Sequence, residues 1–510
     1  AFSNISSLTS ITIPYGVEEI GDYAFSSCSS LTSIILPSSV TAIGTFAFYY
    51  CSNLSEIELP DSVISLGKYA FAGCKNLIEV TLPDNLVVLK TNTFYGCSAL
   101  SNIVISENLE TIENDAFSGC YNLTVINIPK NIISIGNSAF YDCRNLTAIN
   151  VDSQNSAYSS VDGVLYDKSQ TVLICYPVKK FGEIAMQSGI TEIGSYAFFG
   201  NGMTQIIIPA SVTTIGDYAF YKCTSLSNEL VIPSSVTSIG NYAFAENNKI
   251  LSVDIKENPN GTTVGDYSFQ NVSNATSLNL GNVTSIGAYA FNNCTSLSGK
   301  LTIPDSISTI KNRAFGNCKS ITEIKFSKNL DIINYETFSN CTSLKKITIP
   351  NNIKTIDNRA FYSCTGVTEI ELGTGLIQLG TDYRDYNNPF YYMTGVKKIT
   401  FNSEKVPTTP CADTFEYMNN LETVYVPAVS YNDYVERFTP YINNGRILMS
   451  SNDEFVVSDG VLLQYTGEAT DVTIPGTVEE ISESAFKNNK KITSITIGES
   501  VSKIGKSVFS

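Results

Sequence analysis

Residues 31–51 read LTSIILPSSVTAIGTFAFYYC, and variants of this stretch return along most of the chain. Its Ala-Phe pair sets the period, because Phe recurs at 2, 25, 48, 71, 94, 117 and 140 in steps of 23 residues. Later repeats place Phe at 198, 220, 244, 269, 291, 315, 338, 361, 390, 415, 486 and 509, which makes 19 positions. A fixed period of this length is typical of a solenoid, in which each unit stacks on its neighbours.

Each unit has two halves that predict different local structures. In the first half apolar residues alternate with variable ones, as at Ile34 and Leu36, which predicts a short strand that ends at Pro37. In the second half the apolar positions are spaced i, i+4, i+5 and i+8, which predicts one face of a short helical turn. In one unit these positions hold Ile20, Ala24, Phe25 and Cys28.

A single unit of this kind cannot bury its own apolar side, so neighbouring units must cover one another. The sequence therefore predicts a curved stack of about 19 coils, with a parallel β-sheet on the concave face and short helical turns on the convex face. We expect every repeat Phe to be buried with the strand Ile, Leu and Val residues in one continuous core.

The pattern L-x-x-I-x-I-P-x-x-V-x-x-I-G-x-x-A-F-x-x-C, read from these units, resembles the BspA-like (treponemal-type) leucine-rich-repeat family over nearly the whole chain. The resemblance implies a right-handed leucine-rich-repeat solenoid. It also implies a secreted or surface protein of bacteria or some parasitic protists, of a kind often linked to adhesion. It supplies no set of binding residues that can be carried over position by position.

Composition excludes several classes of function. A net charge of −16 and a pI near 4.6 argue against nucleic acid as a partner, because phosphates require a basic surface. The chain has no His, which removes the imidazole base of common hydrolases and the most common metal ligand. No apolar run is long enough to span a membrane. We expect no catalytic residues, no metal and no cofactor.

Breaks in the period divide the chain into five segments. Residues 1–150 and 190–427 are leucine-rich-repeat blocks, and residues 151–189 are an insertion that predicts a β-hairpin around 167–170, after an Asp162-Gly163 turn. Residues 428–449 predict a helical, cap-like segment, on which Val429, Tyr434, Val435 and Phe438 share a face. Residues 453–510 hold a second hairpin and the start of a further repeat block that looks truncated. Two copies indicate a module, interpreted as a structural splice between blocks or, alternatively, as a binding protrusion.

Eleven of the 13 Cys residues stand three positions after a repeat Phe and form one column: Cys28, Cys51, Cys74, Cys97, Cys120, Cys143, Cys223, Cys294, Cys318, Cys341 and Cys364. The favoured interpretation is a small buried side chain at a tight turn, and disulfides between adjacent coils are the alternative. Cys175 and Cys411 lie off the column, where a packing role is the simplest interpretation.

The outward strand positions form the broadest regular array of variable side chains, and they are our candidate binding face. Its residues are Ser33, Ile35, Glu56, Glu58, Glu79, Thr81, Asn102, Glu323, Lys325, Lys346, Thr348, Glu369, Glu371 and Lys398. For any one of these residues, a plain solvated face is the favoured interpretation.

Two functions remain open from the sequence. The first is non-catalytic extracellular recognition, adhesin-like, by a secreted or cell-surface protein. Its partner would be a protein or glycoprotein of a host, a matrix or a neighbouring cell. The second is a structural spacer or assembly subunit that stacks into surface arrays, with self-association through the solenoid ends. Because both ends of the sequence fall inside repeats, we expect a longer natural chain.

Overall fold

A computed structural model of the chain describes residues 2–180, 184, 186–381, 388–409, 415, 417–427, 430–438, 447–450, 454–458, 460–465, 467–487 and 489–509. It is a parallel-strand solenoid of about 20 turns, as the repeat predicts. The chain forms two compact units, an N-terminal unit of residues 1–272 and a C-terminal unit of residues 273–510.

The first half of each coil supplies a first strand, and first strands of neighbouring coils pair in parallel. Ile11 pairs with Ile34 and Val80 with Ile103, each step being one repeat of 23 residues. In the N-terminal unit the first strands are Ser10–Thr12, Ser33–Ile35, Glu79–Thr81, Asn102–Val104, Val125–Ile128, Ala148–Val151, Asn228–Ile232 and Ile250–Ile255. In the C-terminal unit they are Ser277–Asn279, Gly299–Thr302, Ile321–Lys325, Lys346–Ile349, Glu369–Leu372, Lys398–Phe401, Thr423–Val426, Ile447–Ser450, Asp471–Thr473 and Ser494–Thr496.

A second, shorter strand follows the Pro turn in most coils and builds a second parallel ladder. Ile20 pairs with Ile43, and Ile43 with Leu66. In the N-terminal unit the second strands are Glu19–Ile20, Ala42–Ile43, Ser65–Leu66, Val88–Leu89, Thr111–Ile112, Ser134–Ile135, Glu192–Ile193, Thr214–Ile215, Ser238–Ile239 and Thr262–Val264. In the C-terminal unit they are Val283–Ile286, Thr309–Ile310, Ile332–Ile333, Thr355–Ile356, Gln378–Leu379, Glu480–Ile481 and Lys503–Ile504.

The core of each unit is a column of stacked Phe rings. Phe25 and Phe48 lie 5.4 Å apart with nearly parallel rings, and the stacking continues to Phe140. The expectation that every repeat Phe is buried is wrong for two of them: Phe2 is 39% and Phe509 is 60% exposed. Both lie in the outermost described coils, where a Phe neighbour covers only one side of the ring.

The half of the coil that carries Phe is a series of β-turns, and the predicted helical turns are absent from the described coils. Ala24 N–H donates to the Gly21 carbonyl at 3.2 Å within its own coil. The next N–H, that of Phe25, donates to the Ala47 carbonyl of the following coil at 2.8 Å. Tyr23 takes a φ of 57°, which no right-handed helix contains. Every second N–H thus joins two coils, which a helix with its own internal bonds does not permit.

The insertion is a three-stranded antiparallel meander of Tyr158–Val161, Val164–Asp167 and Val172–Cys175. Its last strand pairs in parallel with the second strand Glu192–Ile193 and so starts the ladder of the following coils. Tyr176 then stacks on Phe198 at 4.9 Å in the position of a repeat Phe.

The second hairpin repeats this arrangement within the C-terminal unit. Its strands are Phe455–Ser458 and Val461–Tyr465, and the latter pairs in parallel with Glu480–Ile481. Tyr465 packs against Phe486 with ring centroids 5.3 Å apart and the rings tilted by 39°, in the place that Tyr176 takes beside Phe198. Both hairpins therefore continue the stack where they enter it, a geometry that suits the interpretation as a splice.

The helix Tyr431–Phe438 covers part of the core of the C-terminal unit. Tyr434 and Phe438 are fully buried, and Phe438 lies against Phe401 with the ring centroids 5.5 Å apart. The Tyr434 hydroxyl donates to the Ser403 carbonyl at 2.8 Å. The prediction of a cap-like helix extended to residue 449, but residues 447–450 form a strand that pairs with Thr423–Val426. Val429 lies outside the described residues, and nothing is described of the Val435 side chain.

Candidate functional site

The candidate binding face divides between the two units. Alternation along each first strand turns one set of side chains to the core and the other to solvent, as at Ile103 (buried) and Val104 (exposed). The exposed candidates are Ile35, Glu56, Glu58, Glu79, Thr81, Asn102, Glu323, Lys325, Lys346, Thr348, Glu369 and Lys398, and the half-buried ones are Ser33 and Glu371.

On the N-terminal unit the candidate face is acidic and partly aliphatic. Glu56 and Glu79 occupy the same repeat position on neighbouring coils, and Glu58 lies one outward position further along. Within the described residues none of the three forms an ion pair, so carboxylates without a cation partner occupy this stretch of the surface. Ile35 is 64% and Val104 is 49% exposed on flanking coils. We call these five residues the acidic–aliphatic face.

On the C-terminal unit the charges of the candidate face pair with one another in register. Lys346 lies opposite Glu369, and Glu369 opposite Lys398. The Lys346 ammonium is 3.8 Å from the Glu369 carboxylate and 3.1 Å from that of Glu371. The hydrogen bond with Glu371 raises the pKa of Lys346, and the charge of Glu369 acts in the same direction. We call Lys346, Glu369, Glu371 and Lys398 the paired face.

Sequence reasoning missed two partners of these charges. Lys300 forms an ion pair with Glu323, its register partner on the neighbouring first strand. Lys398 lies over the ring of Tyr425, 4.8 Å from its centroid, which suits a cation–π contact. The signal was present in the sequence, because Lys300 and Tyr425 stand at outward strand positions like the residues that were selected.

The Cys column is buried, and its thiols donate hydrogen bonds to main-chain carbonyls. All eleven Cys residues of the column are free and buried. Cys51 Sγ donates to the Phe25 carbonyl at 3.0 Å, and Cys120 Sγ to that of Phe94 at 3.3 Å. Burial raises the pKa of the Cys97 thiol to about 12, which keeps it protonated and weakly nucleophilic.

Asn replaces Cys in this column at positions where the same carbonyl needs a donor. Asn247 Nδ2 donates to the Phe220 carbonyl at 2.8 Å, as a thiol does in other coils. Of the two Cys residues off the column, Cys175 is half-buried at the end of a hairpin strand. Cys411 lies outside the described residues.

Other kinds of site find little support in the described part of the chain. No group of three or more Cys, Asp or Glu residues there is arranged to hold a metal ion. No helix among these residues is long and apolar enough to cross a membrane. A concavity of about 770 Å³ lies beside the helix 431–438 and is lined by charged residues, including Glu404, Asp433 and Arg437.

Stacked parallel coils with a repeated strand, Pro turn and Ala-Phe turn define a leucine-rich-repeat solenoid. Six copies of the BspA type leucine rich repeat region match the chain, at residues 1–95, 41–161, 174–298, 262–388, 298–422 and 462–510. The chain therefore belongs to the BspA-type leucine-rich-repeat family, as the repeat pattern predicted. No curated protein matches its sequence.

Three solved structures illustrate what the chain is similar to. A leucine-rich cell surface protein of Faecalibacterium prausnitzii is 26% identical, with 77% of this chain and 78% of that chain covered and a TM-score of 0.34. A leucine-rich repeat protein of Eubacterium ventriosum is also 26% identical, with 71% and 83% covered and a TM-score of 0.46. A leucine-rich repeat protein of Bacteroides ovatus is 24% identical, with 88% and 85% covered and a TM-score of 0.36.

Proposed function

We propose that this protein is a non-catalytic extracellular recognition protein that binds a protein or glycoprotein through the acidic–aliphatic face. The observation that supports this most is that Glu56 and Glu79 hold the same exposed repeat position in neighbouring coils and form no ion pair within the described residues. Exposed carboxylates without a cation of their own fit a surface that meets a positively charged partner.

The exposed Ile35 and Val104 side chains add apolar contact area beside the carboxylates. A large partner sums many moderate contacts over a wide surface, whereas a small substrate needs burial in a cleft. The absence of His from the sequence also suits recognition better than acid–base chemistry. Placement at the cell surface is part of the proposal and rests on membership of the family.

The paired face of the C-terminal unit suits a different role. Its lysines and glutamates already neutralise one another across neighbouring strands, at 3.1 and 3.8 Å around Lys346. A surface whose charged side chains already form ion pairs with one another gains little binding free energy from a charged partner. We therefore propose a spacer role for this face, which retains the structural alternative for part of the molecule.

The test is charge reversal of the acidic–aliphatic face in Glu56→Lys, Glu58→Lys, Glu79→Lys. Adhesion of the purified protein to immobilised extracellular-matrix proteins and to cultured epithelial cells is expected to fall at least tenfold. The melting temperature should stay the same or rise, because unpaired surface carboxylates contribute little to folding. Binding equal to that of the parent protein would reject the acidic–aliphatic face as the site.

A matched control reverses all four charges of the paired face, in Lys346→Glu, Glu369→Lys, Glu371→Lys, Lys398→Glu, which keeps opposite charges as neighbours and should leave adhesion unchanged. Changing Lys168 and Ser169 at the hairpin tip to Ala tests the alternative of a binding protrusion. Adhesion lost only in that variant would move the site from the strands to the hairpin.

A further inference from the structure

The turn side of the N-terminal unit carries a groove that the candidate face does not include. It has a volume of about 380 Å³ and runs over five successive coils. Its lining is aromatic and rich in hydroxyl groups, and comprises Tyr49, Tyr50, Gly73, Lys75, Tyr95, Gly96, Ser98, Ser118, Gly119, Tyr121, Tyr141 and Asp142.

Glycine forms the floor of the groove. Gly73, Gly96 and Gly119 stand two positions after three successive repeat Phe residues, with φ of 77°, 68° and 74°. Backbone conformation alone does not require glycine here, because Tyr50 and Asp142 hold the same repeat position with φ of 55° and 56°. What the glycines provide is space, and nothing lies within 4 Å of a Cβ added at Gly96. The Tyr50 ring lies over Gly73 and closes that end of the floor, and Asp142 stands at the other end.

The floor is held rigid by bonds between coils. Gly73 N–H donates to the Tyr95 carbonyl at 2.7 Å, and Gly96 N–H donates to the Ser118 carbonyl at 2.7 Å. Gly119 N–H donates to the Tyr141 carbonyl at 2.9 Å. A groove whose floor is ordered without a ligand loses little conformational entropy when a ligand enters.

One wall alternates large and small side chains. Directly after successive repeat Phe residues stand Tyr49, Ala72, Tyr95, Ser118 and Tyr141. The tyrosines are therefore two coils apart, twice the 5.2–6.0 Å that separates neighbouring Phe rings in the same coils. Ala72 and Ser118 are themselves buried, so the small residues separate the tyrosines along the wall.

On the opposite wall, Arg144 holds the Tyr121 ring in place and neutralises the Asp142 carboxylate. Arg144 lies over the Tyr121 ring, 4.3 Å from its centroid, and pairs with the Asp142 carboxylate at 2.9 and 3.0 Å. Asp142 is thereby neutralised. Lys75 is the one lining charge that forms no ion pair within the described residues.

We propose that this groove binds a neutral oligosaccharide. The negative face of an aromatic ring attracts the partly positive C–H edges of a pyranose, and tyrosine and serine hydroxyls both donate and accept, as sugar hydroxyls do. From Gly73 to Asp142 the groove spans three coil steps, which is about 14 Å at about 4.8 Å a coil and enough for about two or three monosaccharide units. An acidic glycan would need more cations than Lys75 in a chain of net charge −16.

The experiment uses the full chain with three neutral probes: cellohexaose, maltohexaose and chitohexaose. Isothermal titration calorimetry measures affinity, and saturation-transfer NMR identifies the sugar protons that contact the rings. At least one probe is expected to bind with a Kd between the micromolar and millimolar ranges, with strongest saturation on C–H protons. Absence of binding by all three at millimolar concentration would overturn the proposal.

The variant Gly96→Tyr fills the floor and should weaken binding at least tenfold. Its control is Gly200→Tyr, because Gly200 has the same repeat position, a φ of 63° and open space at its Cβ, but lies outside the groove. A second pair compares Tyr95→Ala with Tyr221→Ala, which share the position after a repeat Phe. Equal affinity within either pair would contradict the groove as the site.

Two further probes separate other ligand classes. Oligogalacturonate represents an acidic glycan, and decaproline represents an extended Pro-rich peptide, which also docks in aromatic grooves. Neither is expected to compete with the neutral probe. Tighter binding of oligogalacturonate than of every neutral hexamer, or binding of decaproline alone, would reject a neutral oligosaccharide as the occupant.

Discussion

At the scale of single residues, the Cys column is a set of main-chain hydrogen-bond donors. A turn that sends every second N–H to the next coil leaves carbonyls pointing inward, and the thiol of Cys120 reaches that of Phe94 at 3.3 Å. A buried carbonyl without a donor is costly, which explains a polar hydrogen in an otherwise apolar column. Asn247 fills the same role with an amide.

Replacing one thiol should separate the contribution of its packing to stability from the contribution of its hydrogen bond. Cys120→Ala removes both, and we expect it to lower the free energy of unfolding by about 1–3 kcal/mol. Cys120→Ser keeps a donor and should cost less. Urea unfolding followed by circular dichroism measures both. Equal losses for Ala and Ser would show that packing alone matters at this position.

The sequence predicted the burial of this column but not its chemistry. The spacing of the Cys residues shows that they hold the same position in each coil. From that shared position the sequence predicts a small, buried side chain. Which carbonyl lies opposite depends on turn geometry, which the spacing of apolar residues does not contain. The one available signal was that Asn201, Asn247 and Asn489 replace Cys in the column, because Asn and Cys have in common a hydrogen to donate.

At the scale of elements, the strand of each coil was predictable and the turn was not. The alternation of apolar and variable residues around Ile34 predicted the strand, and Pro37 predicted where it ends. The spacing of Ile20, Ala24 and Phe25 fits a helical face, yet positive φ at Tyr23 shows a turn instead. Helix and turn series bury the same side chains, so apolar periodicity alone does not distinguish them.

The hairpins join the stack through an aromatic residue that sequence reasoning did not select. Tyr176 is buried and stacks on Phe198 at 4.9 Å, so it substitutes for a repeat Phe. Tyr176→Ala is expected to lower the free energy of unfolding by about 3–5 kcal/mol, as for other large buried aromatic residues. Tyr176→Phe, the control, should change it by less than about 1 kcal/mol.

Thermal and urea unfolding measure both Tyr176 variants, and hydrogen exchange at 158–175 and 190–220 locates the change. If the hairpin is a splice, Tyr176→Ala should increase exchange on both sides of it. Faster exchange confined to the hairpin would instead describe a protrusion that the coils do not need.

At the scale of the whole molecule, the buried hydroxyl and thiol groups make stability depend on alkaline pH. Burial raises the pKa of the Cys97 and Cys223 thiols to about 12 from an ordinary value of 9.0. It raises the pKa of the Tyr166 hydroxyl to about 12 from 10.0. At pH values below the ordinary thiol pKa, the folded and the unfolded chain both keep these side chains protonated. The free energy of unfolding therefore does not change with pH there because of these groups. Above that pKa the unfolded chain releases protons that the folded chain retains, and stability falls.

The melting temperature is therefore expected to decline from about pH 9 upward and to keep falling toward pH 12, as the folded pKa values are approached. Scanning calorimetry in buffers across this range measures the decline. The variant Cys97→Ser, Cys223→Ser removes two of the titrating groups and should show a shallower slope. A melting temperature that is constant between about pH 9 and 11 would contradict the burial of these groups.

The period and the repeat pattern were enough to predict the solenoid and its family. They did not predict in which part of the candidate face the charged side chains form ion pairs with one another. Lys346 and Glu369 are 23 residues apart and pair across neighbouring strands, whereas Glu56 and Glu79, at the same spacing, form no ion pair within the described residues. That difference needs the register between coils and the reach of each side chain, which a count of charges does not give.

Because the coils are joined by hydrogen bonds to their neighbours, each unit should respond to tension one coil at a time. A coil of 23 residues occupies about 5 Å of the stack but spans about 75 Å when extended. Peeling a coil from an edge breaks only the bonds to one neighbour, as between Phe25 and Ala47. A chain pulled from its ends would therefore lengthen in regular steps of roughly 70 Å and absorb mechanical work with each step.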